Sequence, residues 1–204
     1  MLFRSAPGLY LAYVIHFARV PIYADEWHVL PGLSSAIRGN PDLGWFWSQY
    51  GEPRIPLVRL YLLVFAWLDH LNNRHIAIAN ACVQIACYFL VLLLAKRYLN
   101  GRLGPLAAIA VGMIWLSLVN TENAVWAFDI GWFLVNLGFL VMVAALALPD
   151  APRRCWSALA ITAAVFASLA WIHGLFVWPV GALCIWWMRA PGRSRRNELL
   201  TWIF

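Results

Sequence analysis

The residues best able to do chemistry in this chain are a few acids set among aromatic rings. Asp25 and Glu26 stand side by side in Ala24-Asp25-Glu26-Trp27, directly after the first apolar stretch. Two carboxylates at a membrane boundary are costly to bury, so such a pair is either solvated or functional. In the functional reading a carboxylate takes the proton of a hydroxyl or amine acceptor as that acceptor attacks. Asp129 is the second acid, within Trp126-Ala127-Phe128-Asp129-Ile130-Gly131-Trp132. It either complements a helix dipole or orients the base, the acceptor or a metal. Glu52, Arg54 and Arg59 form a third group around Gly51-Glu52-Pro53-Arg54-Ile55-Pro56. A guanidinium there suits a phosphate or pyrophosphate, with snorkelling to lipid headgroups as the alternative. Glu122 and His173 complete the set, and His173 reads as a structural or a catalytic histidine. His16, His28, His70 and His75 lack ligand spacing, so no metal site is assigned and a divalent cation is the one cofactor left open.

Several chemistries lose their usual support. The chain has no GxGxxG, Walker A, HExxH or GxSxG pattern. Its four cysteines, Cys82, Cys87, Cys155 and Cys184, form no CxxC pair, and three lie in apolar runs. They read as small packing residues rather than a disulfide framework or a zinc site.

The elements that position the acids must be membrane helices. Of 204 residues 63% are hydrophobic and 12% charged, with 13 Trp; an ordinary soluble domain carries about 25% charge. That leaves too little polar surface to cover a soluble core, and the Trp count suits a membrane–water interface. The net charge of +6 invites a nucleic-acid partner, but the basic residues sit at the ends of apolar runs, where they set orientation in a lipid bilayer. The expected fold is all-α, a polytopic transmembrane helical bundle forming a single module over residues 1–204. Residues 1–23 are a signal anchor and first span, and 24–75 an outer loop in which Leu57–Leu68 is too short to cross and lies on the interface. Residues 76–189 hold further spans at 76–95, 105–119, 130–148 and a hairpin over 156–187 broken near His173-Gly174. Residues 190–204 are a basic cytoplasmic segment and the start of another span; a helix cut after one turn points to a longer parent chain.

Orientation follows from arithmetic on Lys and Arg. If Leu57–Leu68 lies on the outer interface, Lys96, Arg97, Arg102, Arg153, Arg154 and the tail arginines all fall inside. The loop 120–129, without Lys or Arg, then falls outside. The positive-inside rule prefers this arrangement, which gathers Asp25, Glu26, Glu52, Glu122, Asp129 and His173 on one outer face.

A first helix, an outer loop opening on an acidic pair, a short interfacial helix and a later outer acid together resemble the GT-C glycosyltransferases. Protein O-mannosyltransferases and the lipid A aminoarabinose transferase are the relatives in view. The motifs at 24–27, 51–56 and 126–132, with Gly174-Leu175-Phe176-Val177-Trp178-Pro179, are similar to those of bacterial multi-span proteins of this fold. The resemblance runs along nearly the whole chain and implies its amino-terminal catalytic module. It implies a polyprenyl-phosphate-linked sugar donor, used at the outer face of the bacterial cytoplasmic membrane. The base then maps onto Asp25 and the second acid onto Asp129; an arginine at the donor phosphate, Arg54 or Arg59, is a physical inference. The competing readings are a transporter or flippase for a lipid-linked or small polar substrate, and an inactive fragment or membrane scaffold. A transporter should show inverted repeats and interrupted midplane helices, and no repeat is apparent.

Overall fold

Prolines, asparagines and one left-handed turn set the helix boundaries. The computed structural model describes residues 5–19, 26–51, 53–99, 104–118, 121–147, 153–188 and 192–203. Among them are eleven α-helices: α1 (Ser5–Phe17), α2 (Glu26–Ile37), α3 (Leu43–Trp47), α4 (Pro56–Asp69), α5 (Asn73–Tyr98), α6 (Pro105–Trp115), α7 (Thr121–Val125), α8 (Ile130–Ala147), α9 (Arg153–Ala170), α10 (Val177–Met188) and α11 (Arg193–Ile203). Two 3-10 turns, Ala127–Asp129 and Ile172–Phe176, precede α8 and α10. The described residues are all-helical, with one isolated antiparallel bridge between Gln49 and Arg54 in place of any strand. Pro56 and Pro105 open α4 and α6, where the missing N–H costs nothing. Asn72 caps α5 by accepting the Arg74 N–H at 3.1 Å. α4 ends in two consecutive left-handed residues, His70 (φ 51°) and Leu71 (φ 58°). Non-glycine residues there cost roughly 1–2 kcal/mol each, and the chain reverses at once into α5.

Two helical stretches, Asn73–Tyr98 and Ala127–Ala147, are long and apolar enough to cross a membrane. Their 26 and 21 residues rise about 39 and 31 Å at about 1.5 Å per residue, against a hydrocarbon core of about 30 Å. The other apolar segments form shorter helices than hydropathy suggests. The stretch 105–119 yields α6 of 11 residues, about 16 Å long. α1 has 13 residues, and 20–23 of the expected first span lie outside the described residues. Hydropathy reports which residues prefer lipid; it does not report where backbone hydrogen bonding stops. The break expected near His173-Gly174 is present, with Trp171 extended (φ −160°, ψ 159°) between α9 and the second 3-10 turn. In the tail, basic residues and the apolar end form one helix, α11, that folds back on α10, where the Trp202 indole donates to the Trp178 carbonyl at 2.9 Å.

The pairs α5–α6, α8–α9 and α10–α11 run antiparallel, whereas α5 and α8 lie parallel, Ile76 meeting Ile130 and Leu94 meeting Leu140. α8 packs along α9 through Gly138, where an added Cβ would stand 2.8 Å from the Ala163 carbonyl oxygen and 2.9 Å from the Ala167 Cβ. Arg74 donates to the Ile15 carbonyl at 3.0 Å, bringing the start of α5 to the last turn of α1. Tyr88 donates to the Ala108 carbonyl at 3.3 Å and Gln84 to the Trp115 carbonyl at 3.1 Å, setting α6 against α5. Outward-facing apolar side chains remain on several helices, including Leu106 and Ile114 of α6 and Trp186 and Trp187 of α10. Apolar surface of this kind marks contact with lipid or with another protein.

Candidate functional site

One end of the bundle carries most of the candidate chemistry, and a single apolar core builds it. Val29 and Leu33 of α2, Ile55, Val58 and Leu62 at and within α4, Ile76 of α5, Phe128, Ile130 and Ala170 share that core. Thus α2 and α4 lie across the first turns of α5 and α8 and the last turn of α9. With 14 residues, α4 rises about 21 Å, too short to cross a bilayer.

Aromatic rings tie the loops of this end together. His28 of α2 meets Tyr50 with centroids 6.2 Å apart, and Tyr50 meets Phe128 at 5.2 Å. Phe128 stands 6.2 Å from Trp171 and Trp171 6.1 Å from Trp132, which is 4.3 Å from the His173 ring. Such pairs add about 0.5–1.5 kcal/mol each beyond the area they bury. The chain of rings joins the start of α2 to both 3-10 turns.

The predicted site residues fall out as follows. Asp25 and Glu52 lie outside the described residues. Glu26 opens α2, at the end that carries the aromatic cluster. Asp129 closes the first 3-10 turn and is 6% exposed. His173 lies in the second turn, exposed but stacked on Trp132. Arg54 is exposed on the short bridge to Gln49, and Glu122 is exposed on α7. Common packing therefore joins the elements bearing Glu26, Asp129 and His173, while Arg54 and Glu122 reach the surface.

Arg59 is buried, 3% exposed. Its guanidinium donates to the carbonyls of Trp45 and Ser48 and lies over the Trp45 indole. That indole also rests on Gly32, where a Cβ would come within 2.0 Å of the ring. Arg59 therefore clamps α3 between α2 and α4. Burial lowers its pKa from the ordinary value, yet an arginine starts so far above neutrality that it stays charged.

Sequence reasoning missed Asn80. This residue of α5, 1% exposed, accepts the Tyr61 hydroxyl at 2.9 Å and donates to the Ala127 carbonyl at 2.9 Å. Burial raises the Tyr61 pKa, which keeps its hydroxyl a donor. One carboxamide thereby fixes α4 and α5 to the turn that ends in Asp129. The available signal was an asparagine inside a long apolar run, where an unpaired amide is expensive.

Among the described residues no three of His, Cys, Asp and Glu come together as a metal site. No family model, no curated protein and no solved structure matches this chain.

Proposed function

We propose that this chain is the catalytic module of a multi-pass membrane glycosyltransferase. It uses a polyprenyl-phosphate-linked sugar at the outer face of the bacterial cytoplasmic membrane. The observation that carries the reading is the common core that packs the elements bearing Glu26, Asp129 and His173 at one end of the helices. Two helices able to cross a membrane and the positive charge at the opposite helix ends support the placement.

In this reading Asp25 removes the proton of the acceptor hydroxyl or amine. The acceptor atom bonds to the anomeric carbon, the bond from that carbon to the phosphate oxygen breaks, and polyprenyl phosphate leaves with the electron pair. The leaving group is already good, so positioning and charge stabilisation supply much of the rate. Arg54, exposed at this end, is a cation open to the phosphate; Arg59 donates to backbone carbonyls and serves as scaffold. Asp129 orients the acceptor or the base from its buried turn.

The test is transfer from a polyprenyl-phosphate sugar by the protein in membranes. Asp25→Asn should lower transfer by at least about 100-fold, the usual scale of general-base catalysis, with membrane insertion unchanged. Transfer at the parent rate by that variant rejects Asp25 as the base. No transfer from any such donor by the parent protein rejects the activity.

A further inference from the structure

The end of the bundle away from the acids carries a patch of cations and indoles. α5 and α10 finish together there, the Tyr98 hydroxyl donating to the Met188 sulfur at 3.4 Å. Lys96 and Arg97 lie exposed in the last turn of α5. Trp186 and Trp187 lie exposed in the last turn of α10, Trp187 at 88%. α11 then runs back along α10. Its Arg195 guanidinium sits 4.4 Å from the centroid of the Trp186 ring and donates to the Trp186 carbonyl at 3.4 Å. Further along, Trp202 is buried in a notch at Gly181, where a Cβ would come within 2.1 Å of its indole. α11 is thus held against α10 near both ends. Its outer side is left as an open groove of about 620 Å³ lined by Gly192, Arg196, Asn197 and Leu200.

Three observations bear on what that groove meets. The first is charge. α11 carries three arginines against one acid, Glu198, and Lys96 and Arg97 stand at the same end of the bundle. No acid is among the described residues that line the groove, and a guanidinium pairs well with phosphate oxygens. The second is depth. The patch lies where a helix long enough to cross a membrane finishes, the level at which indoles and cationic side chains meet lipid headgroups. The third is the mixed lining. Exposed Leu200 follows exposed Arg196 by one helical turn, so the two share a face of α11. A soluble anion would use the cation and leave Leu200 and the indoles in water. A phospholipid uses both. Orientation by positive charge asks only that cations gather on one side of the membrane; it requires neither a groove nor apolar side chains beside them.

From this we infer that the groove of α11 seats an anionic glycerophospholipid of the surrounding leaflet. Arg196 and the Asn197 carboxamide donate to its phosphate, and Leu200 contacts the upper part of an acyl chain. Lys96, Arg97 and Arg195 supply the positive field that favours an anionic headgroup over a zwitterionic one. The inference requires a bilayer but no transfer reaction, and it concerns the end away from Glu26 and Asp129. It therefore fails separately from the glycosyltransferase reading.

The experiment is native mass spectrometry of the whole chain in dodecyl maltoside, titrated with dioleoylphosphatidylglycerol or dioleoylphosphatidylcholine. The expected result is a first phosphatidylglycerol bound at least about tenfold more tightly than the first phosphatidylcholine. Arg196→Gln should weaken that first binding about fivefold, the scale of one cation at the membrane surface, and Arg196→Glu at least about tenfold. Should the charge reversal disturb folding, seen as lost helical circular dichroism, Arg196→Gln on the exposed face carries the expectation alone. Arg38→Gln, exposed at the acidic end, should leave the binding unchanged. Excess glycerol 3-phosphate should not displace the lipid. Equal affinity for the two lipids overturns the inference, as does unaltered binding by the folded Arg196 variants. An equal loss in Arg38→Gln overturns it in favour of diffuse attraction to net charge. Displacement by glycerol 3-phosphate overturns it in favour of a soluble phosphate ligand.

Discussion

A guanidinium buried in a fold must find acceptors for its N–H groups, and Arg59 finds them in the carbonyls of Trp45 and Ser48. Charge-assisted hydrogen bonds are worth about 1.5–3 kcal/mol each, and stranded carbonyls add to the loss. Arg59→Leu should therefore destabilise the protein by about 2–4 kcal/mol and expose α3 to chymotrypsin at Trp45–Trp47. Equal stability and an unchanged digestion pattern would show that the clamp is dispensable. Asn80 poses the same question in neutral form. Asn80→Leu leaves the Tyr61 hydroxyl and the Ala127 carbonyl without their shared partner, at about 1–3 kcal/mol per buried group. Amide exchange should speed up at least tenfold across residues 126–130, whereas the α9–α10 region should be unaffected. Acidic and basic residues could be picked out by type, but a type does not reveal whether neighbours are solvent, phosphate or backbone. That is why the sequence leaves Arg59 open between a phosphate and lipid headgroups, while its contacts with the Trp45 and Ser48 carbonyls emerge only in the fold.

Helix pairs are set by where backbones approach. At Gly138 the absent side chain lets α8 lie against α9, and any Cβ meets the Ala163 carbonyl and Ala167. Overpacking costs about 1–3 kcal/mol where neighbours can yield, and backbone yields least. Gly138→Val should lower the thermal midpoint in detergent by several degrees. Gly8, in α1, has nothing within 4 Å of the corresponding position, so Gly8→Ala should be neutral or slightly stabilising, since alanine favours a helix over glycine by about 0.5–1 kcal/mol. If the two substitutions shift the midpoint alike, close approach does not set the α8–α9 spacing. Element boundaries were partly legible. Pro56 and Pro105 announce the starts of α4 and α6, and His173-Gly174 announces the break before α10. The early end of α6 was not legible, because its residues stay apolar beyond Trp115 while the helix stops there.

For the whole molecule, the arrangement predicts sidedness. The last turn of α1, the first turns of α5 and α8 and the last turn of α9 meet at one end, with α2 and α4 across them. Lys96 and Arg97 lie in the last turn of α5, about 35 Å further along that helix. In a background without the four native cysteines, single cysteines at Asp25, Asp129 and His173 should react with impermeant maleimide from outside. Probes at Lys96, Arg102 and Arg195 should react only after permeabilisation. Because Asp129 is buried, its labelling should be slower than that of His173 yet from the same side. Labelling of Asp25 and Asp129 from opposite sides would dissolve the common site and put a transporter or scaffold ahead of an enzyme.

Composition and periodicity by themselves determined that the chain is helical and apolar. They did so because long apolar runs with little charge are unlike a disordered chain and lack the alternation of strands. They also located the acids and the helix-breaking positions, since proline and glycine act through their own backbone chemistry. Which groups meet was decided only in three dimensions. Tyr61, Asn80 and Ala127 are far apart in sequence, as are Gly32, Trp45 and Arg59, and so are Gln84 and Trp115, which a hydrogen bond joins across α5 and α6. Hydrogen bonds and close packing act over a few ångströms, whereas sequence patterns register only the preference of each residue for water or lipid. Partnership between distant residues therefore exists only once the helices have packed.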